Sequence, residues 1–304
     1  MMKKMLGLLL CLSVSVTLFH GEPIAQAASS DKVIGSPKLA VLVDGRKVKF
    51  KGGDPVSENG RVQVPLRGIG EALGAGVNFN GNTVTYTKES KEIVLTLGSN
   101  VAVVDGKNIT MDTAAKAVKG RTYVPLRFVS ENLGEPVSWD QIGNWVWIGS
   151  KGVPTLEEIG IESQGIQNFK DLIDPVDELY DGRKDAYVFS YDQLPVRIGD
   201  RVVYDIWQVK QAGNSGIRIR YSSGKTAIYY LSESVKGARV RYDVEGMRIK
   251  NADGSITLTY RVDSRTDRDL INDKDYETFT LDNAKYLGFV IDFESLFFLK
   301  GPLK

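Results

Sequence analysis

The sequence predicts an α+β protein: a tandem repeat of a small antiparallel sheet packed on a short helix, followed by a mainly antiparallel β-sandwich or barrel. Three observations lead to this prediction. The first half contains two similar segments about 60 residues apart. Each copy has one stretch in which the apolar residues follow helical spacing. The second half changes to a period of two, which is typical of strands.

The N-terminus has the pattern of a secretory signal peptide. Two lysines precede an apolar run over residues 5–19, and a small-x-small cleavage pattern ends at Ala27. We therefore expect a signal peptide over residues 1–27 and an extracellular location, with association to the cell wall. A linker is predicted over residues 28–37.

The predicted signal peptide contains the only cysteine and the only histidine of the chain, Cys11 and His20. The exported form would then have neither a thiol nor an imidazole. This excludes thiolate nucleophiles, Ser-His-Asp relays, and copper or zinc sites with histidine or cysteine ligands. We accordingly predict no catalytic residue, no metal site and no cofactor.

The charge of the exported form is balanced, because 37 basic and 37 acidic residues remain of the 39 and 38 in the whole chain. A neutral protein has no general electrostatic attraction for nucleic acid, so no nucleic-acid partner is predicted. After residue 27 no apolar run reaches the length of a membrane span, and the sequence therefore predicts no transmembrane segment.

The repeat is anchored by two similar segments, Arg61–Asn80 and Arg121–Asp140. Both begin with a strand-like stretch that ends in Val-Pro-Leu-Arg. Leu66, Ile69 and Leu73 then have the i, i+3, i+7 spacing of one helical face, and so do their equivalents 60 residues later. Proline starts each predicted helix and glycine follows its last apolar position, as helix termini prefer.

Strands are predicted on both sides of each helix. The Asp-Gly pairs that begin at Asp44 and Asp105 are turn signals between two strands. Final strands are predicted over residues 83–87 and 145–148. Because a unit of this size buries little apolar area alone, we expect the two copies to share or abut their cores.

These motifs resemble the copper amine oxidase N-terminal domain-like family, also called the stalk domain, which is common in exported proteins of Gram-positive spore-forming bacteria. The resemblance covers about residues 38–150, with repeats over about 38–90 and 91–150. It implies a sheet wrapped on a helix that serves as a spacer or presentation element. The copper chemistry of amine oxidases lies in a separate catalytic domain, so no amine oxidase activity is expected here.

The first copy departs from the family pattern at Gly68 and Gly70, inside its predicted helix. Each glycine weakens a helix by roughly 1 kcal/mol, which makes the first helix the weaker prediction. Arg67 and Arg127 follow the helix-starting prolines. We interpret them as pairing within the fold rather than binding an anionic partner.

Three tryptophans of the second copy, Trp139, Trp145 and Trp147, offer rings that can stack on sugars. The last two alternate with Val146 and Ile148 in strand spacing. We therefore expect at least one of the three to lie in the core.

The second half reads as a linker with short helices over residues 151–184 and a β-rich domain over residues 185–304. Thr155 and Glu158 form a possible capping box at the start of the helical stretch. The segment from Asn251 to Gly254 is predicted to be a hairpin loop. We recognise no family for this half.

Basic residues alternate with the apolar residues of several predicted strands. On one open sheet they would form a cationic face that binds an anionic wall polymer or a glycan. The alternative is a solvated strand face on which charge protects the edges. The residues predicted to bind the ligand are Arg218, Arg220, Arg239, Arg241 and Arg261.

Carboxylates are concentrated between Asp263 and Glu277. Calcium needs several oxygens that converge on one point, and this loop is one candidate. However, its spacing does not fit an EF-hand, and its basic residues dilute the negative charge. The alternative is an acidic loop that faces the basic sheet.

The sequence therefore predicts a secreted, non-catalytic protein of the cell envelope, in which a stalk-like module presents a β-rich domain that binds a glycan or an anionic wall polymer. Two alternatives stay open. Paired carboxylates can hydrolyse glycosidic bonds without histidine, which would make the chain a glycan hydrolase. The chain can also be a purely structural component of the envelope or spore coat.

Overall fold

A computed structural model describes residues 33–173, 179, 182–211, 213–234, 236–262, 279–291 and 294–301. These residues belong to one compact unit over residues 32–304. The predicted signal peptide and the predicted calcium loop lie outside the described residues. We call residues 38–150 the N-terminal module and the described residues from 151 onward the C-terminal module.

The N-terminal module consists of short strands and two short α-helices. In chain order these are β1 Ala40–Val43, β2 Arg46–Lys47, β3 Val56–Glu58, β4 Arg61–Pro65, α1 Leu66–Ala72, β5 Gly76–Asn80, β6 Thr83–Lys88, β7 Lys91–Thr96, β8 Val101–Val104, β9 Lys107–Thr110, β10 Lys116–Val118, β11 Arg121–Pro125, α2 Leu126–Asn132, β12 Val137–Asp140 and β13 Trp145–Ile148. Both helices begin directly after the prolines, as predicted from the sequence.

Helix α1 contains two glycines, and the side chains packed against it leave no room for a Cβ atom at either position. A Cβ atom on Gly70 would clash with the side chains of Val77 and Tyr86. At Gly68, a Cβ would press on the Phe50 ring. The close approach of these side chains to the helix is the physical reason that glycine occupies both positions.

The two copies pair around a centre between β4 and β11. These strands are antiparallel, and Val64 lies opposite Val124, its equivalent 60 residues later. The β1–β2 hairpin of the first copy joins the sheet of the second by pairing with β13, and β8–β9 joins the sheet of β5–β7. One apolar core contains residues of both copies, among them Ile69 and Val129. Neither copy could bury this core alone.

The C-terminal module contains the remaining strands. These are β14 Gln164–Gly165, β15 Asp185–Phe189, β16 Val196–Ile198, β17 Arg201–Gln211, β18 Asn214–Tyr221, β19 Ile228–Leu231, β20 Arg239–Arg241, β21 Ile249–Lys250, β22 Ile256–Arg261, β23 Tyr286–Phe289 and β24 Ser295–Lys300. Short 3₁₀ helices cover Ile166–Phe169, Tyr191–Gln193, Glu245–Met247 and Leu281–Asn283. The predicted hairpin loop from Asn251 to Gly254 connects β21 and β22.

Two sheets build this module. One has the order β16-β17-β18-β22-β21, and the other β14-β15-β24-β23-β19-β20. Their facing side chains form one core, to which Ile219 and Phe289 contribute from opposite sheets. The outer face of the second sheet is covered by the segment around Phe169, where the side chain packs on Phe298 with ring centroids 4.8 Å apart.

Two details of the structure refine the sequence predictions. The reciprocal hydrogen bonds of the capping box exist between Thr155 and Glu158, at 2.8 and 3.2 Å, but a turn follows them rather than a helix. Among the described residues of 151–184, the helical structure is the 3₁₀ turn over Ile166–Phe169. Pairing is also not entirely antiparallel, since β15 runs parallel to β24 and β1 runs parallel to β13.

The coarse fold prediction is confirmed. The described chain is mostly β, its sheets are largely antiparallel, and α1 and α2 are its α-helices.

Candidate functional site

The two modules meet at a buried ion pair. Lys47 on β2 places its Nζ 3.2 Å from Oδ1 of Asp205 on β17, and both side chains are almost completely buried. The ammonium group also lies over two aromatic rings, 4.1 Å from the centroid of Tyr191 and 5.1 Å from that of Trp145. Burial lowers the pKa of Lys47 and raises the pKa of Asp205, while their mutual attraction acts in the opposite direction on each.

A second ion pair links the modules through Arg220 on β18. Its Nη1 donates to Oδ2 of Asp140 in the N-terminal module at 2.6 Å, its Nη2 donates to Asp253, and its Nε donates to Ser255 at 3.0 Å. The guanidinium carbon lies 4.6 Å from the ring centroid of Tyr204. Each of the three guanidinium nitrogens therefore donates a hydrogen bond inside the protein.

The Asp140 carboxylate is oriented by hydrogen bonds within its own turn. Its Oδ1 accepts hydrogen bonds from the backbone N–H groups of Ile142 and Gly143 at 3.0 and 3.1 Å, which is the pattern of an Asx turn. The turn between β12 and β13 therefore holds the other carboxylate oxygen toward the C-terminal module. On the other side, a β-bulge between Val203 and Asp205 changes the register of β17 against β18.

Apolar side chains complete the contact between the modules. Trp145 and Trp147 of β13 pack with Leu42, Val153 and Val202 in a small buried cluster. The segment after β13 is bound to both sides: Ser150 N–H donates to Asp44 at 2.7 Å, and Arg197 donates to the carbonyl of Val153. We call this set of ion pairs and apolar contacts the inter-module clamp.

The five arginines predicted to bind a ligand do not lie on one exposed face. Arg218, Arg220 and Arg261 belong to the sheet of β17 and β18, whereas Arg239 and Arg241 belong to the other sheet on β20. Arg220, Arg239 and Arg241 are only 1–2 % exposed. Arg218 is half-buried and donates from Nε to Thr259 at 3.2 Å, and Arg261 is exposed.

Internal contacts explain the burial of these arginines. Arg239 lies over the ring of Phe279 at 4.3 Å and donates to Ser232 at 3.1 Å. Arg241 donates to backbone carbonyls, among them that of Val240 at 2.9 Å. A binding role that needs an exposed side chain stays a prediction for Arg218 and Arg261 and is not supported for the three buried arginines.

A large open cavity lies in the N-terminal module. Its volume is about 590 Å³, and its walls come from the β3–β4 hairpin, the segment after β9, helix α2 and the edge strand β12. Its apolar and aromatic lining includes Val62, Met111, Phe128 and Trp139. We call it the Trp139 groove, because this ring stands 46 % exposed at its wall.

The charged side chains of the Trp139 groove are paired with one another. Arg61 forms an ion pair with Asp112, and Arg127 lies 3.9 Å from Glu131 one helical turn away. Ser57, Thr110, Thr113 and Ser138 add hydroxyl groups to the lining. The expected internal pairing of Arg127 is thus present, and the groove has no surplus of either charge.

Arg220 and the three tryptophans were named from the sequence but not brought together, whereas Lys47, Asp140 and Asp205 of the clamp were missed. Asp205 had a local signal, since it is a lone carboxylate inside an apolar strand, and such a residue is buried only with a partner. Lys47 and Asp140 had none, because their partners are 158 and 80 residues away along the chain. Trp145 and Trp147 are buried as expected, and Trp139 is the exposed one.

Within the described ranges, no group of three or more histidine, cysteine, aspartate or glutamate side chains is arranged to hold a metal ion. In the same part of the chain, neither helix has the length and apolar character needed to cross a membrane.

Comparison with known families gives one match. Residues 42–148 match the family model described as copper amine oxidase N-terminal domain. The resemblance inferred from the doubled motif is confirmed over this part of the chain, and the match ends before the C-terminal module. No curated protein matches the chain.

Proposed function

We propose that this chain, whose residues 42–148 match the copper amine oxidase N-terminal domain, is a secreted, non-catalytic protein of the cell envelope. In this proposal the signal peptide over residues 1–27 directs export. The N-terminal module is a tandem repeat that acts as a stalk, and the C-terminal module is a two-sheet β-sandwich that contacts a glycan or an anionic wall polymer.

The inter-module clamp is the observation that carries the proposal. A stalk that presents a binding domain in a fixed orientation needs a rigid connection, and inter-domain contacts are mobile unless they are large or well packed. Here Arg220 and Asp205 reach across the boundary from buried positions, and Trp145 packs on the boundary itself. The geometry favours one presentation unit over two tethered domains.

The remaining exposed basic residues favour contact with an anionic polymer. Arg261 is exposed and Arg218 is half-buried on the same face of their sheet, because Arg261 lies opposite Gly216 and Arg218 lies opposite Thr259. Two arginines on one face give a weak, salt-sensitive attraction. The attraction would be multiplied along a repeating polymer.

A glycan hydrolase is the second candidate, because two carboxylates line the Trp139 groove. Asp112 and Glu131 are each about half exposed and each lie beside an arginine. A general acid for glycoside cleavage must stay protonated near neutral pH, which calls for burial away from cations. The geometry therefore favours binding over hydrolysis.

The test is retention of the exported form, residues 28–304, on purified peptidoglycan sacculi with and without their anionic polymers. We expect retention on the complete sacculi that falls with added salt and with the double variant R218A/R261A. The control K107A/K119A removes two exposed charges from the N-terminal module and should be retained normally. Absence of retention at low salt, or equal loss in both variants, would overturn the proposal in favour of a purely structural component.

A further inference from the structure

We propose that the Trp139 groove is a binding site for a neutral saccharide in the N-terminal module, separate from the exposed arginines of the C-terminal module. The proposal assigns a ligand to the half of the chain for which the stalk role provides none. It rests on the exposure of one aromatic ring, on the charge balance of the lining, and on a difference between the two copies of the repeat.

Trp139 is the exposed tryptophan of this chain. The other three, Trp145, Trp147 and Trp207, are at most 9 % exposed, whereas Trp139 is 46 % exposed on an edge strand. A large aromatic ring at the wall of a cavity that Phe128 also lines offers the flat apolar surface on which the C–H face of a sugar ring packs. The ring together with the cavity, rather than the exposure of the ring alone, points to an interaction site.

The polar part of the lining fits hydroxyl groups. Arg61 pairs with Asp112 and Arg127 lies 3.9 Å from Glu131, so the lining carries no net charge and does not favour a phosphate or carboxylate ligand. Sugar hydroxyls both donate and accept hydrogen bonds. They can therefore bind to the paired Arg61 and Asp112 together, and to hydroxyls such as that of Ser138.

The size of the groove also favours a small ligand. About 590 Å³ lies within the range of roughly 300–1,000 Å³ that holds small molecules. A stable protein partner covers about 800 Å² on each side, which extends beyond a cavity of this kind. A peptide that adds to the edge strand β12 is the competing occupant, and the experiment below distinguishes it.

The two copies of the repeat differ at this position. Phe79 is the equivalent of Trp139 and is also exposed, at 43 %. In the first copy, however, helix α1 has Gly68 where α2 has Phe128, and the ring of Phe50 lies over that glycine. The combination of Phe128 and Trp139 in the lining is therefore particular to the second copy, and Phe79 provides a matched control on the same scaffold.

The experiment measures binding of neutral tetrasaccharides to residues 28–304 by calorimetry, using chitotetraose, cellotetraose and maltotetraose. Tetragalacturonate serves as the acidic counterpart, and a valine-threonine hexapeptide serves as the strand-adding probe. We expect saturable binding of at least one neutral tetramer that does not change with salt. W139A should weaken this binding about fivefold, which corresponds to the roughly 1 kcal/mol that one aromatic contact contributes.

Control variants keep the result interpretable. F79A should bind the same tetramer with unchanged affinity, and W139F should retain part of it because a ring remains. All variants should have circular dichroism spectra and unfolding temperatures close to those of the unchanged protein, since both side chains are about half exposed.

Four results would overturn the proposal: no binding of any neutral tetramer, equal affinity of W139A, a preference for tetragalacturonate, or binding of the hexapeptide in place of sugar. Release of new reducing ends would also contradict it, because it assigns binding without cleavage. Failure here leaves retention on sacculi through Arg218 and Arg261 untouched, so the two proposals fail separately.

Discussion

At the residue scale, the chemistry of this protein depends on where charge is buried. Arg220 carries its charge into an almost completely enclosed position and satisfies it with Asp140, Asp253 and Ser255. Lys47 does the same with a single carboxylate and two aromatic rings. Replacing one partner of a buried pair costs far more than the pair itself contributes, because the other charge stays behind without compensation.

Arg220→Met should destabilise the exported form by about 3 kcal/mol, because it leaves Asp140 and Asp253 without their common cation at the module boundary. The measurement is the free energy of unfolding in urea, followed by circular dichroism. Arg261→Met on the same sheet is the control, and its effect should stay within about 0.5 kcal/mol, since its side chain is exposed. Equal effects of the two substitutions would contradict the role assigned to Arg220.

Lys47→Met should also cost about 3 kcal/mol at neutral pH, and the double variant K47M/D205L should recover most of this loss. The single variant leaves the Asp205 carboxylate buried without its Lys47 cation, with Tyr191 as a remaining hydrogen-bond partner. A double variant that is no more stable than K47M alone would show that the pair is not the source of the effect.

The loss in K47M should depend on pH. Burial raises the pKa of Asp205 in the folded state, so the folded protein holds this proton at pH values where the unfolded chain releases it. Stability from this group is therefore present below the ordinary carboxyl pKa of about 4 and is lost as the pH rises through the folded value. The difference in the free energy of unfolding between K47M and K47M/D205L should therefore become smaller as the pH is lowered from neutral toward about 4.

At the element scale, most of the fold follows from local sequence. Leu66, Ile69 and Leu73 define α1 by their spacing alone, and the Asp-Gly pair at Asp44 forms a turn with positive φ at both residues, 48° and 77°. Such signals act over a few residues, so a single sequence is enough to read them. The strand alternation around Arg218 likewise predicts which residues share a face.

The sequence could not predict which segments cover the sheet face that carries Arg218 and Arg220. Arg220 alternates with Ile219 and Tyr221 like any solvent-facing strand residue, and only the docking of the N-terminal module against it makes it a buried ion pair. Arg239 and Arg241 are instead buried by contacts within the C-terminal module, among them the Phe279 ring and the Val262 carbonyl. No local pattern distinguishes a covered polar face from an open one.

Substitution by alanine at equivalent positions of the two helices should change the stability in opposite directions. Alanine at Gly70 improves helix propensity by about 1 kcal/mol, but its Cβ would meet Val77 and Tyr86, so we expect net destabilisation by about 1–2 kcal/mol. At Ser130, 60 residues later, the buried hydroxyl has no hydrogen-bond partner among the described residues, and alanine should stabilise by about 1 kcal/mol. Thermal and urea unfolding of G70A and S130A decide this, and changes of the same sign would contradict the packing described for α1.

At the scale of the whole molecule, a duplicated module and a two-sheet module are joined into one body. In the N-terminal module the two copies pair through β4 and β11, and their side chains form one shared core. The C-terminal module packs against the strand that carries Trp145, where Val153 and Val202 join the same buried cluster. Two modules joined in this way keep their proposed binding surfaces in a constant orientation.

Hydrogen exchange under increasing urea tests this joined body most directly, with protection read by mass spectrometry for peptides from β6–β8 and from β17–β18. If the clamp unites the modules, both sets of peptides lose protection at one urea concentration, and the variant R220M/K47M separates them. If the unchanged protein already loses protection at two separate urea concentrations, the modules unfold independently and the clamp does not join them.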